Sequence, residues 1–321
     1  MAKTAGTAEL TLRTVTRTQG ANEALKSGVV APHGFGFAFE EVPVLVRAFR
    51  RMVRGLEFDV CEMALTTYLV AKAHGVRFTA VPAFLVRGFH HGAIVVDPKS
   101  SIREPKELEG RRVGVNRGYT VTTGVWARSI LQEEYGLDLG KVTWVLSGDE
   151  HVEQYRAPEN VVPNKSGRSL EELLHEGELT AIVGVEAETP DLAPLIPDPA
   201  EAGFAALRSR GLYPINHLVV VKDELLEARP ELGAELFDVF ARAKGQYVDR
   251  LRRGCIESPT AADRMYQQVL DITGSDPLPY GIEPNRAVLE GLMRHAVDQR
   301  ILGHSMDLES LFAESTRGLT A

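Results

Sequence analysis

Arg87, His90 and His91, close together in the run VRGFHHG, are the side-chain types that a carboxylate-handling site uses. An arginine fork meets a carboxylate with two parallel hydrogen bonds, and an imidazole exchanges a proton near neutral pH. The run lies between two apolar, β-rich stretches, where an α/β sheet opens into its ligand crevice. The competing reading is that one or both histidines close the strand end or face solvent. As strand neighbours they would point to opposite faces, so both reach one ligand only if the backbone turns there.

A second group is Asn116, Arg117, Tyr119, Thr122 and Thr123, in a polar loop between an expected strand and an expected helix. Free N–H groups and hydroxyls at a helix start cradle anions, and the helix dipole adds ~0.3–1 kcal/mol for a carboxylate. The plainer alternative makes Thr122 or Thr123 an N-cap and Arg117 a solvated cation, and the two roles can coexist. Glu62 follows a short apolar strand, where it could orient a histidine or take a proton from a ligand hydroxyl. Equally, it could be a first-turn helix acid. His217 and Tyr213 stand where the chain returns to its first lobe, so His217 is a candidate ligand contact and both are candidate hinge residues. Phe35, Phe37 and Phe39 after His33 fit either an aromatic wall over a ligand or a strand face. Arg47, Arg50, Arg51 and Arg54 read as the wet face of a helix, and Cys61 reads as core. No His-x-x-x-His spacing occurs near the crevice, so no metal is expected.

The elements that must position these residues alternate. Strands are expected over residues 10–17, 37–42, 58–61, 78–86 and 93–96, with helices through residue 25 and over 44–53 and 64–74. After the strand that closes IREPKELEGRRVGV, a helix over 122–135, a strand over 142–146, a polar loop over 147–169, a helix over 170–175 and a strand over 180–185 follow. A proline-rich loop leads to a strand at 217–221, and then helices over 230–252, 260–272 and 285–299. Such alternation argues for parallel or mixed sheets covered on both faces. We expect an α/β protein of two lobes, with residues 1–112 and 216–321 in lobe one and 113–215 in lobe two. The helices after the last strand are expected on lobe one.

With 321 residues, 44% hydrophobic and 25% charged, the chain can bury a core larger than one small domain needs. Its net charge of -8, from 36 basic against 44 acidic residues, gives no general pull toward nucleic acid or an anionic membrane. An anionic ligand must be held by local cations. The two distant cysteines do not form a disulfide framework, and the N-terminal stretch shows no export signal. Nothing approaches the ~20 apolar residues of a membrane span. A cytoplasmic protein is expected, with no nucleic-acid or membrane partner and with a homo-oligomer left open.

The order of these elements resembles the type 2 periplasmic-binding-protein fold. FDVCEMALTTYL, VRGFHHGAIVV, RVGVNRGYTVTTGVWARSILQEEYG, VTWV and YPINHLVVVKDELLEARPEL together resemble the 4,5-dihydroxyphthalate decarboxylase family, from about Leu10 to Leu251. The resemblance implies an enzyme that removes one carboxyl group from a dihydroxylated aromatic dicarboxylate, giving protocatechuate and carbon dioxide. That chemistry protonates the ring carbon bearing the carboxylate, draws electrons from a ring hydroxyl, and needs no redox cofactor. His91 aligns with the family histidine, with His90 and Glu62 as further catalytic candidates. Two segments depart from the family pattern. Arg-His-Ser is replaced by His90-His91-Gly92, and Asn116-Arg117-Gly118-Tyr119-Thr120 replaces a shorter Pro-Glu-Tyr segment. The alternative from the fold is a non-catalytic solute-binding protein or sensor for a small aromatic or anionic ligand. A thiamine-pyrimidine type precursor enzyme on the same fold lacks its cysteine-rich segment here.

Overall fold

The computed structural model of the chain describes residues 10–321. The first part of the chain runs β1 (Leu10–Val15), α1 (Glu23–Lys26), β2 (Phe35–Phe39), α2 (Leu45–Gly55), β3 (Val60–Ala64), α3 (Leu65–Ala73) and β4 (Phe78–Arg87). The middle runs β5 (Ile94–Val96), β6 (Arg112–Val115), α4 (Thr122–Tyr135), β7 (Thr143–Leu146), β8 (Val161–Pro163), α5 (Leu170–His175), β9 (Ala181–Val183), β10 (Ala193–Pro194) and α6 (Pro199–Arg210). The chain then returns through β11 (Ile215–Lys222), α7 (Asp223–Ala228), α8 (Leu232–Arg252), α9 (Ala261–Thr273) and α10 (Arg286–Asp298).

Two mixed sheets result, ordered β2-β1-β3-β11-β4 and β10-β5-β9-β6-β7-β8. In the first, β1 runs parallel to β2 and β3, while β11 is antiparallel to β3 and β4. In the second, β6, β7, β8 and β9 are mutually parallel. The parallel strands of each sheet end toward the same crevice, the place where α/β sheets bind ligands. The inner strands β3 and β11 are largely apolar, interrupted by Glu62 in β3 and by Asn216 and His217 in β11. β3 is wholly buried, and fully burying a Val or Met side chain such as Val60 or Met63 contributes about 1.5–3 kcal/mol.

Several expectations change. Residues 94–96, expected in the first sheet, pair with β9 and β10 of the second. The first crossing between sheets therefore falls in residues 88–93, not at 112–113. The apolar run is buried in either sheet, so its composition did not specify a partner. Within the loop expected at 147–169, β8 pairs with β7, and α6 and β10 fill a stretch whose prolines signalled only loop. α8 packs on β4, but α10 packs on α4 and α9 on α6, so the C-terminal helices reach both sheets rather than the first alone. Phe35, Phe37 and Phe39 form a strand face, with Phe37 stacked on Phe39 and edge-on to Phe240. No helix among the described residues is long and apolar enough to cross a membrane.

Candidate functional site

A cavity of about 1110 Å³ lies between the lobes. One wall is the turn after β1 with the start of α2, presenting Arg17, Pro43, Val44, Leu45, Val46 and Arg47, and the facing wall is the β6–α4 loop with Asn116 and Arg117. The α2 wall mixes apolar side chains with Arg50, Arg51 and Arg54, and Glu57, bound to Arg51, also lines it. Neither the Arg17 nor the Arg117 side chain meets a carboxylate among the described residues. Burial, and then the charge of Arg17, lowers the Arg117 guanidinium below its ordinary range. Like charges left facing each other without an acid form a receptor for an anion. Arg117 also has a left-handed backbone, φ 69°, which a non-glycine residue adopts only under constraint.

Glu62 lies inside β3 and is fully buried, so it is not the first-turn helix acid that its position after Cys61 allowed. A carboxylate in a buried strand is costly unless both oxygens are paired. Here Oε1 pairs with His217 Nδ1 at 2.7 Å and Oε2 accepts the Arg17 backbone N–H at 2.8 Å. His217 sits on β11 two residues along from the position opposite Glu62, and the register with β4 shifts on both sides of it. Such irregularities re-aim a side chain near a site. The His217 ring stands edge-on to Phe49 of α2, with centroids 5.2 Å apart, and is 16% exposed. Its Nε2 has no protein partner among the described residues.

The other expected residues go elsewhere. Arg87 is buried: its guanidinium bonds Asn285 Oδ1 and lies 4.6 Å over the Tyr213 ring, and burial lowers its pKa to about 10. It borders a second cavity of about 810 Å³ on the far side of Arg17. His90 and His91 lie beyond the end of β4 and point apart. His90 Nε2 pairs with Asn216 Oδ1 at 2.9 Å, and burial lowers its pKa to about 4. His91 is held by Glu134 at 3.1 Å, with Nδ1 buried and unpaired among the described residues. Glu134 in turn pairs with Arg210. None of His90, His91, Glu62 and His217 lines either cavity; the Glu62–His217 pair is joined to the first cavity through the backbone of Arg17, which does.

The second loop divides in the same way. Asn116 and Arg117 reach the cavity, but Tyr119 is buried with the Arg128 guanidinium 3.8 Å over its ring. Thr122 is not an N-cap: the cap position is Val121, and Thr122 Oγ1 lies 2.7 Å from Thr66 Oγ1, joining the two lobes. Thr123 is half-buried next to it. The N–H cradle expected at this loop is filled by the chain's own Glu150, whose carboxylate accepts from Tyr119 N, Thr120 N and Thr120 Oγ1.

Four residues around the cleft were missed or given another role from the sequence. Arg17 was hidden in a strand-end turn, and its place after β1 at the crevice edge was the available signal. Arg50 and Arg54, expected as a wet helix face, bond Asp149 and the backbone of residues 149–151 across the cleft. His151 reaches Thr67 Oγ1 at 3.2 Å, and burial, then Arg50 and Arg117, lower its pKa to about 4. Among the described residues no group of three His, Cys, Asp or Glu side chains could hold a metal ion.

No family model matches the chain. Solved structures with similar backbones include the aliphatic sulphonate-binding protein of Escherichia coli (12% identity, TM-score 0.53, covering 95% of this chain and 92% of that one). A desulfurization enzyme also matches (13% identity, TM-score 0.55, 95% and 96% covered), as does a Candida albicans protein described as having the generic periplasmic-binding-protein fold (11%, TM-score 0.54, 93% and 92%). These likenesses establish the two-lobed fold expected from the element order. In sequence, a 4,5-dihydroxyphthalate decarboxylase of Pseudomonas putida is 34% identical over 147 residues, 43% of this chain and 57% of that protein. The enzyme of the same name from Comamonas testosteroni is 31% identical over 293 residues, 82% of this chain and 87% of that protein. The chain belongs to the 4,5-dihydroxyphthalate decarboxylase family.

Proposed function

We propose that this protein is a carboxy-lyase that removes one carboxyl group as carbon dioxide from a hydroxylated aromatic dicarboxylate, 4,5-dihydroxyphthalate, and releases protocatechuate. The observation that carries the site assignment is two guanidiniums without acid partners, Arg17 and Arg117, beside a buried Glu62–His217 pair. In this reading Arg17, Arg117 and Asn116 receive the ring carboxylates, and Pro43 to Val46 lie against the apolar ring face. Glu62 holds the His217 Nδ1–H and fixes the ring, leaving Nε2 to work on the substrate. His217 Nε2 gives its proton to the ring carbon that bears the leaving carboxylate, with electrons supplied through the para hydroxyl. The C–C bond then breaks, its electron pair restores the aromatic ring, and carbon dioxide departs. The phenolic proton passes to Nε2 and the resulting phenolate takes one from solvent as protocatechuate leaves, so one proton is consumed for each carbon dioxide released.

A cytoplasmic place of action accords with two free cysteines, Cys61 buried and Cys255 exposed. The test is purified protein with 4,5-dihydroxyphthalate and a panel of related hydroxylated aromatic acids, with and without chelator. Carbon dioxide release with protocatechuate formation is expected. Ligand binding with every acid recovered unchanged would instead make the protein a solute-binding module or sensor.

A further inference from the structure

Arg117 holds an unfavourable backbone conformation, and the groups around it explain how. Its N–H donates to Ser147 Oγ at 2.7 Å and its carbonyl accepts from Gly148 N at 3.3 Å. The next three residues close on Glu150: Tyr119 N at 2.5 Å, Thr120 N at 3.2 Å and Thr120 Oγ1 at 2.6 Å all donate to its carboxylate. Gly118 permits this approach, since a Cβ there would lie 2.5 Å from Glu150 Oε2. Glu150 is also tied to the opposite lobe, because Arg54 donates to its carbonyl at 2.9 Å and to that of His151 at 3.2 Å. A carboxylate in a nest of N–H donors usually belongs to a ligand. Here an internal one occupies it and leaves the adjoining arginine unpaired.

We propose that Glu150 is a positioning residue: it fills the N–H nest of residues 119–120 and so fixes the strained Arg117 backbone that aims its guanidinium into the cavity. It does not touch substrate. Through Arg54, the aim of Arg117 is also tied to the approach of the two lobes, so the anion receptor is complete only when the lobes are together.

This rests on the reading of Arg117 as a carboxylate ligand, and the test separates the two. Phthalate, a dicarboxylate without the activating hydroxyls, serves as the binding probe by calorimetry, alongside turnover of 4,5-dihydroxyphthalate. Glu150→Ala and the near-isosteric Glu150→Gln are expected to weaken phthalate binding about tenfold, the scale of one charge-assisted hydrogen bond, with kcat within about threefold. Glu150→Ala combined with Arg117→Ala should bind no worse than Arg117→Ala alone. Added formate, refilling the nest, should restore binding in Glu150→Ala and not in Arg117→Ala. If Arg117→Ala weakens binding while neither Glu150 variant does, or the two losses simply multiply, only this proposal is overturned. If Arg117→Ala itself binds phthalate normally, the site reading falls and this proposal with it. Loss of the folded state in both Glu150 variants would make the residue structural and also overturn it.

Discussion

Two histidine sites flank the strand pair β4–β11, and they differ in what holds their ring nitrogens. His90 and His91 follow β4, and each is absorbed into the crossing between lobes, by Asn216 and by Glu134. His217, on β11 beside β4, has one nitrogen on the buried Glu62 and the other without a partner among the described residues. Two adjacent imidazoles beside an arginine look more like machinery than one histidine in an apolar strand. What separates them is the surroundings: a proton donor needs one ring nitrogen held and the other facing space.

The comparison can be broken most sharply by turnover. Glu62→Gln and His217→Gln should each lower kcat by about 10²–10⁴, the usual worth of a general acid–base group, while phthalate still binds. His91→Asn should leave kcat within about threefold and lower the melting temperature, because it removes one of the two partners of Glu134 and leaves a buried void. A folded His91→Asn protein without turnover would reverse the two assignments.

Binding gives the next effect. Arg17→Ala should weaken phthalate by roughly 10–100-fold, since a hydrogen bond to a charged group contributes ~1.5–3 kcal/mol. An unchanged dissociation constant by calorimetry would remove Arg17 from the site.

The smallest effect is on stability with pH. Burial lowers His90 to about 4 from an ordinary 6.5, and His151 is likewise lowered to about 4, so both are neutral in the fold near pH 7. Below about 6.5 the unfolded chain takes up protons that the folded chain refuses, so stability falls as pH drops from about 6.5 toward about 4. Each such histidine costs at most ~1.4 kcal/mol per pH unit across that window. Urea midpoints at pH 7.5 and 5 should show the loss, and His90→Asn should reduce it. An identical slope in the variant would show that His90 is not held neutral.

Much of the candidate site was legible at the level of position. Glu62, Asn116, Arg117 and His217 were all picked because strand ends and strand–helix loops at a crevice can be read from local pattern. Orientation was not legible. His91 and Tyr119 occupy equally promising positions, yet their side chains turn into packed interiors, and Arg87 is buried on Asn285 and Tyr213 beside a different cavity. Glu150 gave no signal, because a glutamate in a polar loop looks solvated until the loop folds back on residues 119–120.

The two-lobed α/β class, the alternation of strands and helices and the family came from sequence, because hydrophobic periodicity, turn chemistry and motif order are carried by residues near one another in the chain. Which sheet receives residues 94–96, which histidine is left with a free nitrogen and which carboxylate fills the loop were decided by tertiary structure. Glu62 and His217 are 155 residues apart, and Arg54 lies 96 residues from the Glu150 carbonyl it holds. Contacts over such distances depend on burial, register and the charge already committed nearby, none of which a local pattern contains.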